Sequence, residues 1–279
     1  MTNPLISARD GFAAAHPEER VTLNTRDWGV IDTGTGPVLL LLPGTLGRGD
    51  IFWQQIAALT ELRVIAVSYP ASGTIVDWTA DLVALLEARG VAQVAVLGSS
   101  LGGYLAQYFA AMHPERVTHL FAANTLAATE GIDARPPYAL DIWATPIDGL
   151  RAGFGMAMQA WGQTHPEQAD LVDLLLAESQ GRILDDEMRA RLDALKTAPA
   201  LPADPRPAGA STVIETDDDP LLPPPLRAGV RARLAGSEAF RFQWGGHFPY
   251  VLRPALYTGL IRARLGLATL PAEWNGGSA

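Results

Sequence analysis

The sequence predicts an α/β protein built on one mostly parallel, eight-stranded sheet that is flanked by helices. The first sign is a rhythm in which short apolar segments alternate with segments of helical periodicity, as in consecutive βαβ units. The second is the run Val38–Leu42, which is apolar at every position, as expected of a central strand buried on both faces. The third is size, because 279 residues, 48% of them hydrophobic, suit one large domain that carries an insertion.

The predicted strands are separated by turn residues or by helical segments. They span residues 21–25, 28–33, 38–42, 63–67, 94–97, 117–123, 212–215 and 240–243. Apolar spacing, with start and stop signals such as Asp50 and Gly90, predicts helices over residues 51–59, about 78–86, 101–112 and about 255–265.

The βα rhythm lapses between the sixth and seventh strands. Residues 125–200 show helical periodicity and no convincing strand, and residues 201–207 carry three prolines that suit a linker. We therefore predict a core formed by residues 1–124 and 205–270, a helical insert formed by residues 125–204, and a flexible tail over residues 271–279.

The composition excludes several classes of function. A chain without cysteine has no disulfide, no thiolate metal site and no cysteine nucleophile. Lys196 is the only lysine, and its surroundings fit neither a Schiff-base site nor a P-loop. The net charge of −9 disfavours nucleic acid and anionic membrane surfaces as partners, because both attract clustered Lys and Arg.

Targeting and membrane signals are also missing from the sequence. The apolar run 38–43 is far shorter than the ~20 residues that a membrane-spanning helix needs. The first twenty residues lack the basic start and the apolar run of a signal peptide. We therefore expect a cytoplasmic protein.

The most specific motif is Gly98-Ser99-Ser100-Leu101-Gly102, which directly follows a predicted strand and directly precedes a predicted helix. This is the context of a nucleophile elbow, a sharp strand-to-helix turn that exposes a serine at its apex. The spacing puts Ser100 at the apex and Ser99 beside it. An ordinary glycine-rich turn is the alternative interpretation, but both flanks favour the elbow.

A serine nucleophile needs a base that takes its proton, and the base needs an orienting acid. On such an elbow the acid and then the histidine follow the serine in the chain. Of five histidines, His247 alone comes just after a late strand, and Gly245 and Gly246 before it allow a tight loop. We predict His247 as the base.

Three consecutive aspartates, Asp217, Asp218 and Asp219, follow the seventh predicted strand and are candidates for the acid. Asp219 precedes Pro220, and an Asp-Pro pair opens a turn that can direct the carboxylate back along the sheet edge. We favour Asp219, while the turn argument leaves its two neighbours, or a solvated role for all three, open.

The tetrahedral intermediate of acyl transfer needs hydrogen-bond donors for its oxyanion. The backbone N–H of Leu101, which follows the nucleophile, is one predicted donor. The other is the N–H of Thr45 in the loop after the third strand.

These motifs resemble the α/β-hydrolase superfamily over about residues 21–265. More narrowly, three stretches resemble the maspardin-like proteins, namely residues 64–70, 100–107 and 245–250. Those proteins carry asparagine where this chain has His247 and are regarded as binding proteins, so this chain departs from them in the direction of activity. The resemblance implies that the helical insert is a cap over Ser100.

Large apolar side chains of the insert and of the flanking loops are candidate walls of a substrate pocket. They are Leu46, Trp143, Phe154, Met156, Met158, Trp161 and Phe248. Aromatic and methionine side chains at helical spacing are more often part of a core, so each is a candidate only.

Taken together, the sequence predicts a serine hydrolase that needs no cofactor or metal and acts on a small-molecule acyl substrate, most simply a carboxylic ester. Lactone, amide or C–C bond hydrolysis, perhydrolysis or acyl transfer could use the same triad. A non-catalytic, maspardin-like binding protein is the alternative of another class, and the sequence leaves a homodimer open.

Overall fold

The computed structural model describes residues 2–274 and 277–279 and contains one eight-stranded sheet. Its strands are β1 (Glu19–Leu23), β2 (Arg26–Thr33), β3 (Val38–Leu42), β4 (Arg63–Ser68), β5 (Val94–Ser99), β6 (Val117–Ala123), β7 (Ser211–Thr216) and β8 (Glu238–Phe242). They lie in the order β1-β2-β4-β3-β5-β6-β7-β8. Strand β2 is antiparallel to both of its neighbours, and the other adjacent pairs are parallel. The predicted fold class is therefore confirmed.

Ten α-helices accompany the sheet in the described part of the chain. They are α1 (Pro4–Ala15), α2 (Trp53–Ala58), α3 (Ile75–Ala88), α4 (Leu101–Met112), α5 (Ile147–Thr164), α6 (Ala169–Ala177), α7 (Asp185–Lys196), α8 (Pro224–Arg233), α9 (Pro249–Leu252) and α10 (Pro254–Arg264).

The sheet separates two apolar clusters, one on each face. In β3, Leu39 and Leu41 join one cluster while Leu40 and Leu42 join the other, because successive side chains of a strand point to opposite faces. Helices α2 and α10 contribute to the first cluster, and α3 and α4 to the second. This arrangement explains why β3 is apolar throughout.

The segment between β6 and β7 contains α5, α6 and α7 and, within these described residues, no strand. Most of its buried apolar side chains, including Ile142, Leu150 and Leu171, join the same cluster as Leu41 of the sheet, while Ala194 and Leu195 of α7 join the other cluster. This helical insert therefore packs directly on the core through shared apolar contacts.

The structure contains a helix near the start of the chain and a buried aromatic side chain near its end, neither of which the sequence pattern indicates. Helix α1 begins where the Asn3 side chain accepts hydrogen bonds from the N–H groups of Leu5 and Ile6, a regular N-cap. At the other end a flexible tail is predicted over residues 271–279, of which Asn275 and Gly276 lie outside the described residues. Of the others, Trp274 is buried at 6% exposure while Ala272 and Glu273 are exposed, so a flexible tail stays a prediction.

Trp274 makes edge-to-face contacts with Phe240 and Phe242, and Ala279 exchanges backbone hydrogen bonds with β8 at Arg241 and Gln243. Burying a tryptophan against two aromatic rings offsets the entropy lost on ordering this segment. Among the described helices, none has the length and apolar character needed to cross a membrane.

Candidate active site

Ser100 lies at the turn between β5 and α4, with a backbone φ of 56° that places it in the left-handed region. Non-glycine residues adopt this conformation at a cost, and it turns the side chain outward at the apex. The turn is tight because a Cβ at Gly98 would lie 2.0 Å from the Gly102 carbonyl oxygen. Likewise, a Cβ at Gly102 would lie 2.1 Å from the Leu42 carbonyl oxygen. The motif thus has glycines where the turn has no room for a side chain.

The backbone of Ser100 is fixed by the end of β6. Its N–H donates to the carbonyl oxygens of Ala123 and Asn124 at 3.0 and 3.1 Å. Its carbonyl oxygen accepts from Thr125 Oγ1 at 2.6 Å, in addition to the helical N–H of Tyr104. These bonds hold the strained turn, while the serine side chain itself is partly exposed.

Asp219 and His247 form a buried pair beside this turn. Nδ1 of His247 lies 2.8 Å from Oδ2 and 3.0 Å from Oδ1 of Asp219. His247 is 5% exposed and Asp219 is 7% exposed. With Nδ1 directed at a carboxylate, the other ring nitrogen, Nε2, is the one available to take a proton.

The Asp219 carboxylate is held in its ionised form. Burial acts to raise its pKa, but the charge of His247 and the hydrogen bonds from His247, Asn124 and the Leu221 N–H together outweigh burial. The net pKa of Asp219 is therefore lowered, which keeps it an acceptor for the imidazole at neutral pH.

Asn124 connects the two halves of the site and was not singled out from the sequence. Its Nδ2 donates to Asp219 Oδ2 at 2.9 Å and to Thr216 Oγ1 at 3.1 Å, and its carbonyl oxygen accepts from the Ser100 N–H. The available signal was a polar residue at the carboxyl end of β6, the strand next to the elbow strand. Ligands and catalytic groups collect at such strand ends.

The other two aspartates of the triplet have different contacts. Asp218 accepts from the N–H groups of Gly245 and Gly246 at 3.2 and 2.8 Å and so holds the histidine loop, residues 243–248. Asp217 forms ion pairs with Arg227 and Arg241 and is 40% exposed at its side chain. Among the three, only Asp219 contacts His247 within the described residues.

Nε2 of His247 is buried and has no hydrogen-bond partner in the part of the chain that the structure describes. A bond to Ser100 Oγ is therefore not formed in this structure. Hydrogen bonds between a nucleophile and its base are commonly long before substrate binds, and they shorten in the Michaelis complex. The free nitrogen is thus compatible with a base that awaits its reaction partner.

The β3 loop, residues 43–48, runs directly against the elbow. A Cβ at Gly44 would lie 3.2 Å from the Ser100 Cβ and 3.8 Å from its Oγ. The Gly44 carbonyl accepts from the Gly47 N–H at 3.1 Å. Because a trans peptide is planar, the Thr45 N–H points the opposite way from that carbonyl. Over residues 2–274 and 277–279, neither the Thr45 nor the Leu101 N–H has a protein acceptor, so both remain candidate oxyanion donors.

Four of the predicted pocket residues lie in one apolar cluster. Leu46 and Phe248 of the core are buried members of this cluster, and Phe154 and Met158 of α5 pack against it. Phe248 contacts the His247 ring edge to face, at 5.3 Å between ring centroids, and so borders the histidine.

Trp161 lies apart from that cluster but near the histidine loop. A Cβ at Gly246 would be 3.7 Å from its ring. The indole N–H donates to Gln168 Oε1 at 3.0 Å, and the ring stacks on His165.

Trp143 is not brought to the other predicted pocket residues. It is 50% exposed, and Met156 is 67% exposed. Arg189 donates to the carbonyl oxygens of Ile142 and Thr145, which fixes this segment with Ile142 turned inward at 2% exposure. Trp143 therefore lies at the surface, and its place in a substrate pocket stays a prediction.

The described residues contain no group of three or more histidine and carboxylate side chains that could hold a metal ion. The chemistry available at this site is that of a hydroxyl, an imidazole, a carboxylate and backbone N–H groups.

A family model described as the alpha/beta hydrolase fold matches residues 37–254. The chain belongs to the α/β-hydrolase fold family. The matched range contains the elbow, the aspartate triplet and the histidine loop. As its motifs predict, the chain is also similar to maspardin: that of Rattus norvegicus is 30% identical over 193 residues, which cover 65% of this chain and 72% of the relative.

Solved structures share the fold. An esterase from Thermogutta terrifontis superposes with a TM-score of 0.70 at 22% identity, covering 89% of this chain and 98% of its own. The enol-lactonase of Burkholderia xenovorans LB400 gives a TM-score of 0.68 at 17% identity, and the match covers 89% of this chain and 100% of the enol-lactonase chain. At these identities the likeness establishes architecture and leaves the reaction to the site itself.

Proposed function

We propose that this protein is a cofactor-free serine hydrolase that acts on a small carboxylic ester or a related acyl substrate. The observation that carries the proposal is the buried Asp219–His247 pair, which Asn124 ties to the strained turn of Ser100. A histidine with a purely structural role has no need of a buried carboxylate at one ring nitrogen. Nor does it need its other ring nitrogen to lack a hydrogen-bond partner near an elbow serine.

In the proposed acylation step, Ser100 Oγ attacks the carbonyl carbon of the substrate while His247 Nε2 removes the hydroxyl proton. The negative charge that develops on the carbonyl oxygen is received by the N–H groups of Thr45 and Leu101. Asp219 keeps the imidazole in the required tautomer and stabilises the imidazolium. His247 then protonates the departing alcohol, and an acyl-serine remains.

Deacylation repeats the sequence with water as the nucleophile. His247 removes a proton from the water as it attacks the acyl carbon, and the same two N–H groups receive the second oxyanion. Collapse of this intermediate returns the proton to Ser100 Oγ and releases a carboxylic acid.

An apolar acyl group suits the apolar side chains of this region. Phe248 contacts the His247 ring, and Leu46, Phe154 and Met158 belong to, or pack against, the same apolar cluster as Phe248; side chains of this kind usually line small-molecule sites. A short-chain ester is therefore the proposed test substrate, while the same residues could act on a lactone.

The experiment compares hydrolysis of p-nitrophenyl butyrate by the wild type, Ser100→Ala and Ser99→Ala. Ser99 is the matched control because its hydroxyl is adjacent in sequence but buried off the apex, at 1% exposure. We expect Ser100→Ala to lower kcat by on the order of 10⁶-fold, and Ser99→Ala to retain catalysis within roughly tenfold, since it removes no reacting group.

Equal losses in both variants would remove Ser100 from the mechanism. A wild type that binds the ester without hydrolysing it would favour a non-catalytic binding protein of the maspardin kind and overturn the proposal.

A further inference from the structure

Arg191 of α7 is an arginine with no solvent exposure, at 0%. Its Nη1 donates to the carbonyl oxygens of Gly47 at 2.8 Å and of Thr45 at 3.1 Å. These acceptors belong to the β3 loop and lie 144 and 146 residues away in the chain. Helix α7 of the insert therefore contacts the loop that carries the candidate oxyanion donor.

The remaining carbonyl groups near the start of this loop are also occupied. The Pro43 carbonyl accepts from the buried Tyr69 hydroxyl at 2.8 Å, and the Gly44 carbonyl accepts from the Gly47 N–H. The Arg191 guanidinium lies 5.4 Å from the Tyr69 ring centroid. Four carbonyl oxygens are thus held by defined donors, and the Thr45 N–H is left with none among the described residues.

The other end of the loop is held by charge. Arg48 pairs with Glu18 and with Glu187 of α7, at 2.5 and 3.0 Å, and the Gly49 N–H donates to Ser68 Oγ at 2.8 Å. Glu187 Oε2 is also the nearest carboxylate oxygen to Arg191, at 3.7 Å. One turn of α7 therefore contacts the loop at two points.

Burying Arg191 costs free energy, which indicates that its contribution is to hold the geometry of the β3 loop. A buried guanidinium loses its hydration, and in the described part of the chain Nε and Nη2 of Arg191 have no acceptor. Its two good hydrogen bonds both go to the β3 loop. By holding the Thr45 and Gly47 carbonyls, Arg191 fixes the turn in which the Gly44 carbonyl accepts from the Gly47 N–H. A flip of the Gly44–Thr45 peptide out of that turn would direct the Gly44 carbonyl oxygen, in place of the Thr45 N–H, toward a developing oxyanion and repel it.

We infer that Arg191 is a positioning residue, which keeps the Thr45 N–H directed at the carbonyl oxygen of the substrate in the transition state. The inference rests on the proposed function and adds a specific contribution of the insert to it. Arg191 touches no reacting atom and acts through the loop.

The test uses Arg191→Met, Arg191→Lys and the matched control Arg189→Met in the full chain. Arg189 lies on the same helix and also donates to several backbone carbonyls, but those carbonyls belong to the insert itself. The readouts are kcat and KM for p-nitrophenyl butyrate, the melting temperature, and the inhibition constant of a butyl trifluoromethyl ketone. Ser100 Oγ adds to the carbonyl carbon of the free ketone while its proton passes to His247, and the resulting hemiketal places an oxyanion in the hole.

For Arg191→Met we expect kcat to fall roughly 10- to 100-fold, somewhat less than the loss of an entire oxyanion donor, with KM unchanged. The ketone should bind more weakly by the same factor, since it depends on the same N–H groups. Arg191→Lys retains one donor and should recover part of both losses. Arg189→Met should lower the melting temperature and leave kcat and the ketone affinity unchanged.

The inference is overturned if the wild type hydrolyses the ester but Arg191→Met lowers only the melting temperature, as Arg189→Met does. It is equally overturned if KM rises while kcat and the ketone affinity stay constant. Should Arg191→Met fail to fold, Arg191→Lys decides: wild-type kcat and ketone affinity in that variant contradict positioning. A wild type without hydrolysis would instead overturn the proposed function, and this inference with it.

Discussion

The histidine loop and the β3 loop both border Ser100, but different contacts hold them. The histidine loop is fixed by Asp218 and Asp219, residues of the neighbouring strand end that lie 28 positions or fewer away in the chain. The β3 loop is held by Arg191 and by the Arg48–Glu187 pair, which come from a helix of the insert about 140 residues later. The proposed base is therefore held by carboxylates of the core, whereas the loop of the proposed oxyanion donor is held in part by side chains of the insert.

We therefore expect the core and the insert to position different groups of the site. The carboxylates that hold the histidine loop come from the core, although Trp161 and Gln168 of the insert also lie near Gly246. The oxyanion donor, in contrast, depends on how α7 packs on the core. Variants on the two sides should accordingly fail in different ways.

The largest expected effect lies on the core side, in the aspartate triplet. Asp219→Asn should lower kcat by about 10⁴-fold, because an amide favours the wrong imidazole tautomer. Asp218→Asn weakens the acceptor of two N–H groups and should cost roughly tenfold through looser positioning of His247. Asp217→Asn, which alters the ion pairs with Arg227 and Arg241 and no hydrogen bond to His247 or its loop, is the control and should retain the wild-type kcat. Steady-state kinetics on p-nitrophenyl butyrate ranks the three, and an equal loss at Asp217 and Asp219 would contradict the assignment.

On the insert side, the largest expected effect is on stability. Glu178 has no solvent exposure, and its Oε1 accepts from Arg9 and from Arg182. Glu178→Ala removes the buried acceptor of Arg9 and should lower the free energy of unfolding by about 3–5 kcal/mol. Urea denaturation measures the change.

Glu87→Ala is the control for this prediction, since Glu87 pairs with Arg116 at the surface and should cost less than about 1 kcal/mol. If the two variants were equally stable, the buried charges would not be what holds the insert to α1 and the core.

A smaller effect concerns the sheet that carries both loops. Burial lowers the pKa of His119 to about 4, from an unfolded value near 6.5, with the positive charges of Arg264 and Arg206 adding to the shift. The unfolded chain then binds more protons, so stability should fall as the pH drops from about 6.5 to about 4, by at most about 3 kcal/mol. Above pH 6.5 the residue contributes no pH dependence.

His119→Gln should lack this component of the pH profile, as measured by urea unfolding at pH 7 and at pH 4.5. His113→Gln, at a helix end, serves as the control with the wild-type profile. An unchanged profile in His119→Gln would show that other groups cause the acid sensitivity.

The sequence was sufficient for features that depend on local pattern. The apolar strands, the elbow with its glycines, and the order of serine, acid and histidine all follow from spacing and flanking residues. Helix α1 could have been predicted as well, because Asn3 and Pro4 are a regular N-cap and first helical residue.

The sequence did not reveal contacts between residues far apart in the chain, or the burial of charged residues. Residues 185–196 are rich in charge and look like a solvated helix, yet Arg191 and Glu187 are buried because their partners come from a loop of the core. Nothing in the local sequence distinguishes Arg191 from the partly exposed Arg189. Nor does it show that Ile142, and not Trp143, turns inward.

Labelling with a fluorophosphonate probe tests the central claim most directly. The probe reacts with a serine only when a base activates it, and peptide mapping by mass spectrometry identifies the modified residue. We predict that the wild type is labelled at Ser100 and that His247→Asn, although folded, is not labelled in the same time. An unlabelled wild type, or labelling of His247→Asn at the wild-type rate, would contradict the account.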